Sequence, residues 1–248
     1  MATELESVAR RLERGPRQTL VRAYERIEAS RRGYVWLSKL GPAYLFGLVA
    51  LVKAWALSGS LARLLGGQAD LQLGLLATYE GTSGAFFALI AALYLIRRRP
   101  MQRVRNLSQA LVAVAGCNIM FLLALNGPRT QAPTVLIASS LLTIVGVAGA
   151  VVSLAFLGRC FGVFPEARGL VTRGPYRLVR HPVYLFEFIA FLGAVLPALT
   201  PTNAMLYVAF VGLQLSRAIF EEQILASIFP DRYAAYCART ARLIPGLY

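Results

Sequence analysis

The chain has 248 residues, of which 57% are hydrophobic and only 15% are charged, and its formal net charge is +14. A soluble domain normally carries about 25% charged residues, so this composition excludes an ordinary soluble globular protein and predicts an integral membrane protein. An excess of basic residues suggests nucleic acid as the partner of a soluble domain, but here most basic residues border apolar stretches, which excludes that partner.

The first 34 residues are polar and basic. Within them Leu5, Val8 and Leu12 recur at helical spacing, and Gly15-Pro16 interrupts the pattern. Residues 1–34 are therefore predicted to form a cytosolic N-terminal segment. It is either an amphipathic helix that lies on the membrane surface or a solvated extension.

Six apolar stretches follow, at about 41–58, 71–96, 106–125, 134–157, 183–199 and 203–218. Each is predicted to cross the membrane as a helix, because about 20 apolar residues span a bilayer. The last two are short and are separated by Pro197 and Pro201, which predicts a tight helical hairpin. The expected fold is an all-α, multi-pass membrane protein of about six transmembrane helices. Residues 35–133 would hold the first three, and residues 134–248 would form a core of the last three with a connecting loop and a C-terminal tail.

Basic residues are unevenly distributed between the two ends of these predicted helices. If the N-terminus lies in the cytosol, the cytosolic segments hold nine, five, five and four basic residues in chain order, whereas the outer loops hold only Arg63 and Arg129. Basic residues concentrate on the cytosolic side of membrane proteins, so both termini are predicted to be cytosolic. The basic segments would also attract anionic lipid headgroups.

Charged residues inside apolar spans are costly and require a partner. Lys53 and Glu80 fall in the outer halves of neighbouring antiparallel spans. Either they pair with each other or Lys53 extends to the outer surface. The three cysteines, Cys117, Cys160 and Cys237, have no paired spacing, and there is only one histidine. Neither a disulfide framework nor a protein-bound metal is therefore expected.

The polar residues with the clearest chemical potential lie near the C-terminus. The segment GPYRLVRHPVY, residues 174–184, contains the single histidine, His181, and a second polar group follows the hairpin. That group consists of Arg217, the pair Glu221-Glu222 and Leu225, followed by Phe229, Tyr233 and Tyr236 and closing with Arg242 and Ile244-Pro245.

Together these motifs resemble the isoprenylcysteine carboxyl methyltransferase family and its relatives, the phospholipid methyltransferases. The resemblance covers residues 150–248. It implies an S-adenosyl-L-methionine cofactor and a cytosolic pocket covered by the C-terminal tail. It also implies a lateral opening toward the bilayer for a lipophilic or prenylated substrate.

The residue types fit such a cofactor, which carries an ammonium group, a carboxylate, a sulfonium and an adenine. Glu221 or Glu222 can bind the ammonium group, and Arg180 or His181 the carboxylate. Tyr176 and Tyr184 can pack on the adenine or face the sulfonium. Pro182 stiffens the loop and starts the next helix. The predicted cofactor-binding residues are Tyr176, Arg180, His181, Pro182, Tyr184 and Glu222.

Arg217 and Glu221 are the predicted catalytic residues. A carboxylate acceptor is ionised at neutral pH and needs only a cation to hold it, and Arg217 is suited to that. A hydroxyl, thiol or amine acceptor would need a base, such as His181 or a glutamate. Methylation of a carboxylate on a lipophilic or prenylated substrate is favoured.

Three other functions stay open at this point. One is a phospholipid N-methyltransferase, and another is an NADPH-dependent oxidoreductase similar to the membrane sterol reductases. The paired glutamates and the GPY and PVY sequences favour the methyltransferase over the reductase. The third is a transporter or scaffold without enzymatic activity. Nothing in the sequence indicates the oligomeric state.

Overall fold

The structure is a computed structural model that describes residues 33, 35–68, 70–101, 112–113, 115–116, 119, 132–162 and 166–246. Across these residues the regular structure is helical, apart from isolated bridge residues such as the parallel pair Val179 and Ala241. The N-terminal segment 1–34 and the span predicted at 106–125 lie almost entirely outside the described residues, and both stay predictions.

Among the described residues six continuous α-helices are defined, joined in places by short turns of other helical type. A π-helical turn, Trp36–Leu40, leads directly into the first α-helix, and 3₁₀ turns lie at Gly158–Cys160, Gly174–Arg177 and Leu196–Ala198. The α-helices are α1 (Gly41–Leu65), α2 (Leu71–Ile96), α3 (Pro133–Leu157), α4 (Pro182–Val195), α5 (Pro201–Ile228) and α6 (Pro230–Cys237).

Four of these helices, α1, α2, α3 and α5, are long and apolar enough to cross a membrane, and α4 with the turn that follows it is a shorter apolar helix. Most of the apolar stretch of each of these four helices is exposed. The buried share is 6% in α1 and no more than 28% in the other three. Exposed apolar helices of this length are stable only in a lipid environment. The expectation of a helical membrane protein is thus confirmed, with four candidate spans.

Proline and capping residues set the helix starts. Pro133, Pro182, Pro201 and Pro230 each occupy the first position of a helix, where the missing N–H costs nothing. Thr200 caps α5 by accepting a hydrogen bond from Asn203 N at 3.2 Å. Pro182 therefore has the helix-starting role that the sequence predicted.

Helices α2 and α3 run in the same direction, whereas α4 and α5 form an antiparallel hairpin beside them. At one end of the bundle Arg98 N donates to Arg159 O at 2.9 Å, just beyond the ends of α2 and α3. Helix α4 packs closely against α3, and Ser139 Oγ donates to Gly193 O at 2.7 Å near the opposite end. The hairpin is stabilised by Phe210, which packs its ring against Phe188 and Phe191.

The final span is longer than the sequence indicated. The apolar stretch ends at residue 218, but α5 continues without interruption to Ile228. Proline and glycine are absent between Gly212 and Pro230. The spacing of four residues places Arg217 and Glu221 on one helical face, and Glu222 follows on the adjacent face. These three polar residues are therefore held on one rigid element rather than on a loop.

The two charged residues within the first spans do not form an ion pair in the described structure. Glu80 accepts a hydrogen bond from Ser60 Oγ at 2.7 Å, and both side chains are buried. The Lys53 ammonium lies 4.7 Å from the centre of the Tyr79 ring. A hydroxyl on α1 thus satisfies the Glu80 carboxylate, and an aromatic face lies beside the Lys53 cation.

Candidate active site

The loop before α4 begins with a turn that only glycine can form at that position. Gly174 has a φ of +61°, and a Cβ atom there would lie 2.4 Å from the Phe156 ring at the end of α3. Gly174–Arg177 then makes one 3₁₀ turn, which buries the Tyr176 side chain. The close approach of the loop to α3 thus fixes where the following residues, Arg180 and His181, enter the site.

The C-terminal tail is held against this loop by backbone hydrogen bonds. Arg180 N donates to Ala241 O at 2.8 Å, and His181 N donates to Arg242 O at 3.1 Å. From α6, the Tyr236 hydroxyl donates to Tyr176 O at 2.7 Å. The two halves of the motif are about 60 residues apart in sequence, but they form one structural unit.

Glu222 is the point at which loop, helix and tail converge. Arg242 donates two hydrogen bonds to its carboxylate, from Nε to Oε1 at 3.1 Å and from Nη2 to Oε2 at 2.9 Å. His181 Nε2 lies 3.1 Å from Oε1, and Arg180 Nε lies at the same distance from that oxygen. The contact from Arg180 is an ion pair without hydrogen-bond geometry, whereas the charge-assisted bonds from Arg242 belong to the stronger hydrogen bonds of proteins. Glu222 thus organises three basic side chains.

Glu221 faces the other side of the imidazole. The Tyr184 hydroxyl donates to Glu221 Oε1, and His181 Nδ1 lies 3.9 Å from Glu221 Oε2. The rings of His181 and Tyr184 stack with their centres 5.5 Å apart. The single histidine is 7% exposed and lies between two carboxylates.

A second polar chain runs from this cluster into the apolar interior of the helices. The Arg217 guanidinium lies 5.1 Å from the centre of the Tyr184 ring and is only 4% exposed. Its Nη1 donates to Gln214 Oε1 at 2.7 Å, and Gln214 Nε2 in turn donates to Glu187 Oε2 on α4. A buried arginine surrounded by aromatic, amide and carboxylate groups is poised to bind an anion.

The tyrosines of the loop and of α6 are buried and stay protonated. Burial, with Glu221 as the next largest cause, raises the pKa of Tyr176 well above its usual value of 10.0. Burial also raises the pKa of Tyr236 to about 12. Tyr233 and Tyr236 both lie inside the protein. The bond from Tyr236 holds the tail against the loop.

The structure brings the predicted site residues into one cluster. His181, Tyr184, Arg180, Glu221 and Glu222 contact one another directly, and Arg217 is linked to them through the Tyr184 ring. Pro182 is fully buried at the start of α4. Tyr176 joins through its backbone carbonyl, which holds Tyr236.

Two residues of the cluster had no predicted role. Arg242 belongs to the recognised motif, but its sequence position does not reveal that it binds Glu222. Gln214 precedes Arg217 by three residues, a spacing at which helical side chains meet. Their contact was therefore predictable from the sequence. Glu187, on α4, accepts a hydrogen bond from Gln214 and lies in the interior.

Residues 132–232 match the phospholipid methyltransferase family. The resemblance predicted from the sequence is confirmed for this region. The matched region contains all eight predicted site residues, and it supports a methyltransferase.

The chain is also similar to individual proteins over parts of its length. A cobalt-zinc-cadmium resistance protein from Cupriavidus metallidurans is 38% identical over 116 residues, which are 44% of this chain and 51% of that protein. A nickel-cobalt-cadmium resistance protein from Alcaligenes xylosoxydans is 33% identical over 132 residues, 51% of this chain and 60% of that protein. Protein-S-isoprenylcysteine O-methyltransferase A from Arabidopsis thaliana is 32% identical over 83 residues, 33% of this chain and 42% of that protein.

The chain thus spans about half the length of the curated relatives it matches. Among solved structures, the eukaryotic intramembrane Ras methyltransferase, an isoprenylcysteine carboxyl methyltransferase, is similar over 88% of this chain and 98% of its own. The TM-score is 0.41 and the sequence identity is 16%.

Proposed function

We propose that this protein is an S-adenosyl-L-methionine-dependent methyltransferase that acts on a lipophilic acceptor at the cytosolic face of the membrane. The proposal rests on what we call the Glu222 cluster. It consists of Glu222 on α5, Arg180 and His181 of the loop, and Arg242 of the tail. The match of residues 132–232 to the phospholipid methyltransferase family supports it.

The residues present fit the amino-acid part of this cofactor, which has one positive and one negative group. Glu222 and Glu221 would bind the ammonium group, and Arg180 or His181 would bind the carboxylate. Tyr176 and Tyr184 offer aromatic surfaces for the adenine. When bound, the cofactor supplies an electrophilic methyl group. The protein's task is then to orient the acceptor and to exclude water.

Arg217 is the candidate for holding the acceptor. It lies deeper between the helices than the Glu222 cluster, and its guanidinium is oriented by Gln214 and the Tyr184 ring. An acceptor carboxylate would bind there already ionised, so no base would be needed. Methylation of a carboxylate is therefore favoured over methylation of an amine. An acceptor hydroxyl, thiol or amine would have to lose a proton to a base. Glu221 and His181, which both contact Tyr184, are the candidate bases.

The first experiment is isothermal titration of the full chain in lipid nanodiscs. We expect saturable binding of S-adenosylmethionine and S-adenosylhomocysteine, and no binding of NADPH. Binding of NADPH alone would overturn the proposal in favour of the reductase. Binding of none of the three, also with a lipid extract present, would overturn both enzymatic functions.

Transfer of a labelled methyl group to a lipid extract then identifies the acceptor class. A methyl ester releases labelled methanol in alkali, whereas an N-methyl group is stable. Release of most of the label would support carboxylate methylation. Full retention would contradict it, and recovery of the label in an N-methylated phospholipid would then indicate the phospholipid N-methyltransferase. Arg217→Ala should reduce transfer far more than it weakens binding of S-adenosylhomocysteine, because Arg217 lies outside the Glu222 cluster.

A further inference from the structure

Gly116 brings a segment outside the family-matched region against the polar face of α5. It is buried and belongs to the third predicted span, whereas the family match covers residues 132–232. A Cβ atom at Gly116 would lie 2.9 Å from Gln214 Oε1, 3.5 Å from Arg217 Cδ and 3.6 Å from Leu213 Cβ. The backbone of Gly116 thus packs directly on the part of α5 that carries the candidate acceptor site.

The described residues around Gly116 lie along α5 as well. Ile119, about one turn further on, packs against the apolar cluster that contains Phe210, and Phe210 lies about one turn before Gln214. Ala113, about one turn before Gly116, has no exposed surface. This part of the chain therefore runs antiparallel to α5. Small residues such as Ala113 and Gly116 let membrane helices approach each other closely.

The atom that lies nearest to Gly116 belongs to an amide group that is held from two sides. Gln214 Oε1 accepts a hydrogen bond from Arg217 Nη1 at 2.7 Å, and Gln214 Nε2 donates to Glu187 Oε2. Gln214 is only 1% exposed, so its amide cannot turn away without losing one of these bonds or both. A methyl group at Gly116 would therefore displace this oxygen and change the orientation of the Arg217 guanidinium.

The two next nearest atoms leave room for a methyl group. The distances to Arg217 Cδ and Leu213 Cβ are ordinary van der Waals contacts, so the clash is restricted to the end of one flexible side chain. At Gly146, by contrast, an added Cβ atom would meet backbone atoms of Ala190. A substitution at Gly116 should therefore disturb the position of Arg217 more than the packing of the helices.

We propose that Gly116 is a positioning residue for methyl transfer, because it leaves the Gln214 amide in place between Arg217 and Glu187. Gly116 has no side chain to contact the acceptor, so it acts through Gln214. Its segment is then one wall of the acceptor site, although it lies outside the region that matches the family. This inference rests on the proposed function, in which Arg217 holds the acceptor.

The test compares Gly116→Ala with the unaltered protein in lipid nanodiscs. The measured rate is the transfer of a labelled methyl group from S-adenosylmethionine to a saturating amount of lipid extract. We expect this rate to fall about threefold to tenfold, since misplacing a positioning group by about 1 Å reduces rates by up to about a hundredfold. Affinity for S-adenosylhomocysteine and the melting temperature should stay unchanged. An undiminished rate in Gly116→Ala would overturn the proposal.

A second substitution shows whether the effect passes through Gln214. Gln214→Ala removes the amide, so Gly116→Ala/Gln214→Ala should transfer the label as fast as Gln214→Ala alone, because effects within one network are not additive. Its melting temperature should also equal that of Gln214→Ala, even if Gly116→Ala alone is less stable than the unaltered protein. A further loss of rate or stability in the double variant would show that Gly116 only packs the helices, and would overturn the proposal.

The matched control is Gly212→Ala, which adds the same methyl group to α5 at a position with no other atom within 4 Å. Its rate of transfer should equal that of the unaltered protein. Equal losses in Gly116→Ala and Gly212→Ala would show an unspecific effect and overturn the proposal. Failure of the proposed function gives a different result, because the unaltered protein would then neither bind S-adenosylhomocysteine nor transfer the label. That result would overturn both.

Discussion

Glu222 is the residue whose charge the site depends on most. Its carboxylate is shared by Arg180, His181 and Arg242, so Glu222→Gln keeps the shape of the side chain but leaves three basic groups with a neutral partner. A charge-assisted hydrogen bond contributes about 1.5–3 kcal/mol. We therefore expect S-adenosylhomocysteine to bind about tenfold to a hundredfold more weakly, as measured by titration calorimetry in nanodiscs.

The control for this variant is Asp231→Asn, which removes the same charge from an exposed position at the start of α6. It should bind the ligand with unchanged affinity, because exposed charges at such positions contribute little. Equal affinities for Glu222→Gln and the unaltered protein would show that Glu222 does not bind the cofactor.

Gln214 acts on the acceptor side of the site, through Arg217. It donates to Glu187 and accepts from Arg217, so Gln214→Leu would free the guanidinium to rotate and leave the Glu187 carboxylate without this donor. We expect methyl transfer to a lipid extract to fall about tenfold or more, since misplacing a positioning group by about 1 Å reduces rates by up to a hundredfold. Affinity for S-adenosylhomocysteine should change by less than about twofold.

The double variant decides whether Gln214 works through Arg217. If it does, the double variant Arg217→Ala/Gln214→Leu should be as active as Arg217→Ala alone, because the effects of substitutions within one network are not additive. Additive losses would instead mean that Gln214 has a separate role, such as packing the helices.

At the scale of helices, α3 and α4 approach each other closely at Gly146. A Cβ atom at Gly146 would lie 2.3 Å from Ala190 N and 2.6 Å from Ala190 Cα, and neither backbone atom can move aside. Gly146→Ala should lower the free energy of unfolding by about 1–3 kcal/mol or more, seen as a lower melting temperature in detergent. Gly74 on α2 has open space around it. Gly74→Ala should therefore leave the free energy of unfolding unchanged or raise it by up to about 1 kcal/mol.

The attachment of α6 should respond to alkaline pH. Tyr236 donates to Tyr176 O only while it is protonated, and burial raises its pKa to about 12 from a usual 10.0. Because the folded pKa is the higher one, the stability contributed by Tyr236 is complete below pH 10 and is lost as the pH rises through 12. Protease cleavage of the tail should therefore accelerate in that window. In Tyr236→Phe, cleavage should already be faster at pH 8 and should accelerate less between pH 10 and 12.

The positions of helices could be predicted where prolines or apolar runs mark them in the sequence, but the contacts between helices, loop and tail could not. The prolines marked the starts of α4 and α5, and the apolar runs placed α1, α2 and α3 within a few residues, apart from the extra two turns of α1. The eight site residues were recognisable by their motif. Their partners were not, because the bonds of Glu222 to Arg242 and of Glu80 to Ser60 depend on the packing of distant segments.

For the whole molecule, the parallel course of α2 and α3 constrains the topology. The backbone bond from Arg98 to Arg159 places the ends of these helices at one end of the bundle. The described helix ends therefore require the connection between Met101 and Pro133 to return to the opposite end, and the span predicted at 106–125 would provide this return. If that span and the short helix α4 both cross the membrane, as the sequence predicts, there are six crossings, and both termini are expected on the side where the basic residues concentrate.

Cysteine labelling tests this arrangement in a variant without the natural cysteines. Gln68→Cys, beyond α1, and Thr202→Cys, at the start of α5, lie at exposed positions on one face, and Ala238→Cys lies beyond α6 on the other. A maleimide that does not cross membranes should label Gln68→Cys and Thr202→Cys in intact cells, and Ala238→Cys only after permeabilisation. The reverse pattern would place the Glu222 cluster outside the cell, where the cytosolic cofactor cannot reach it. Labelling of Gln68→Cys and Thr202→Cys from opposite sides would rule out a crossing between Met101 and Pro133.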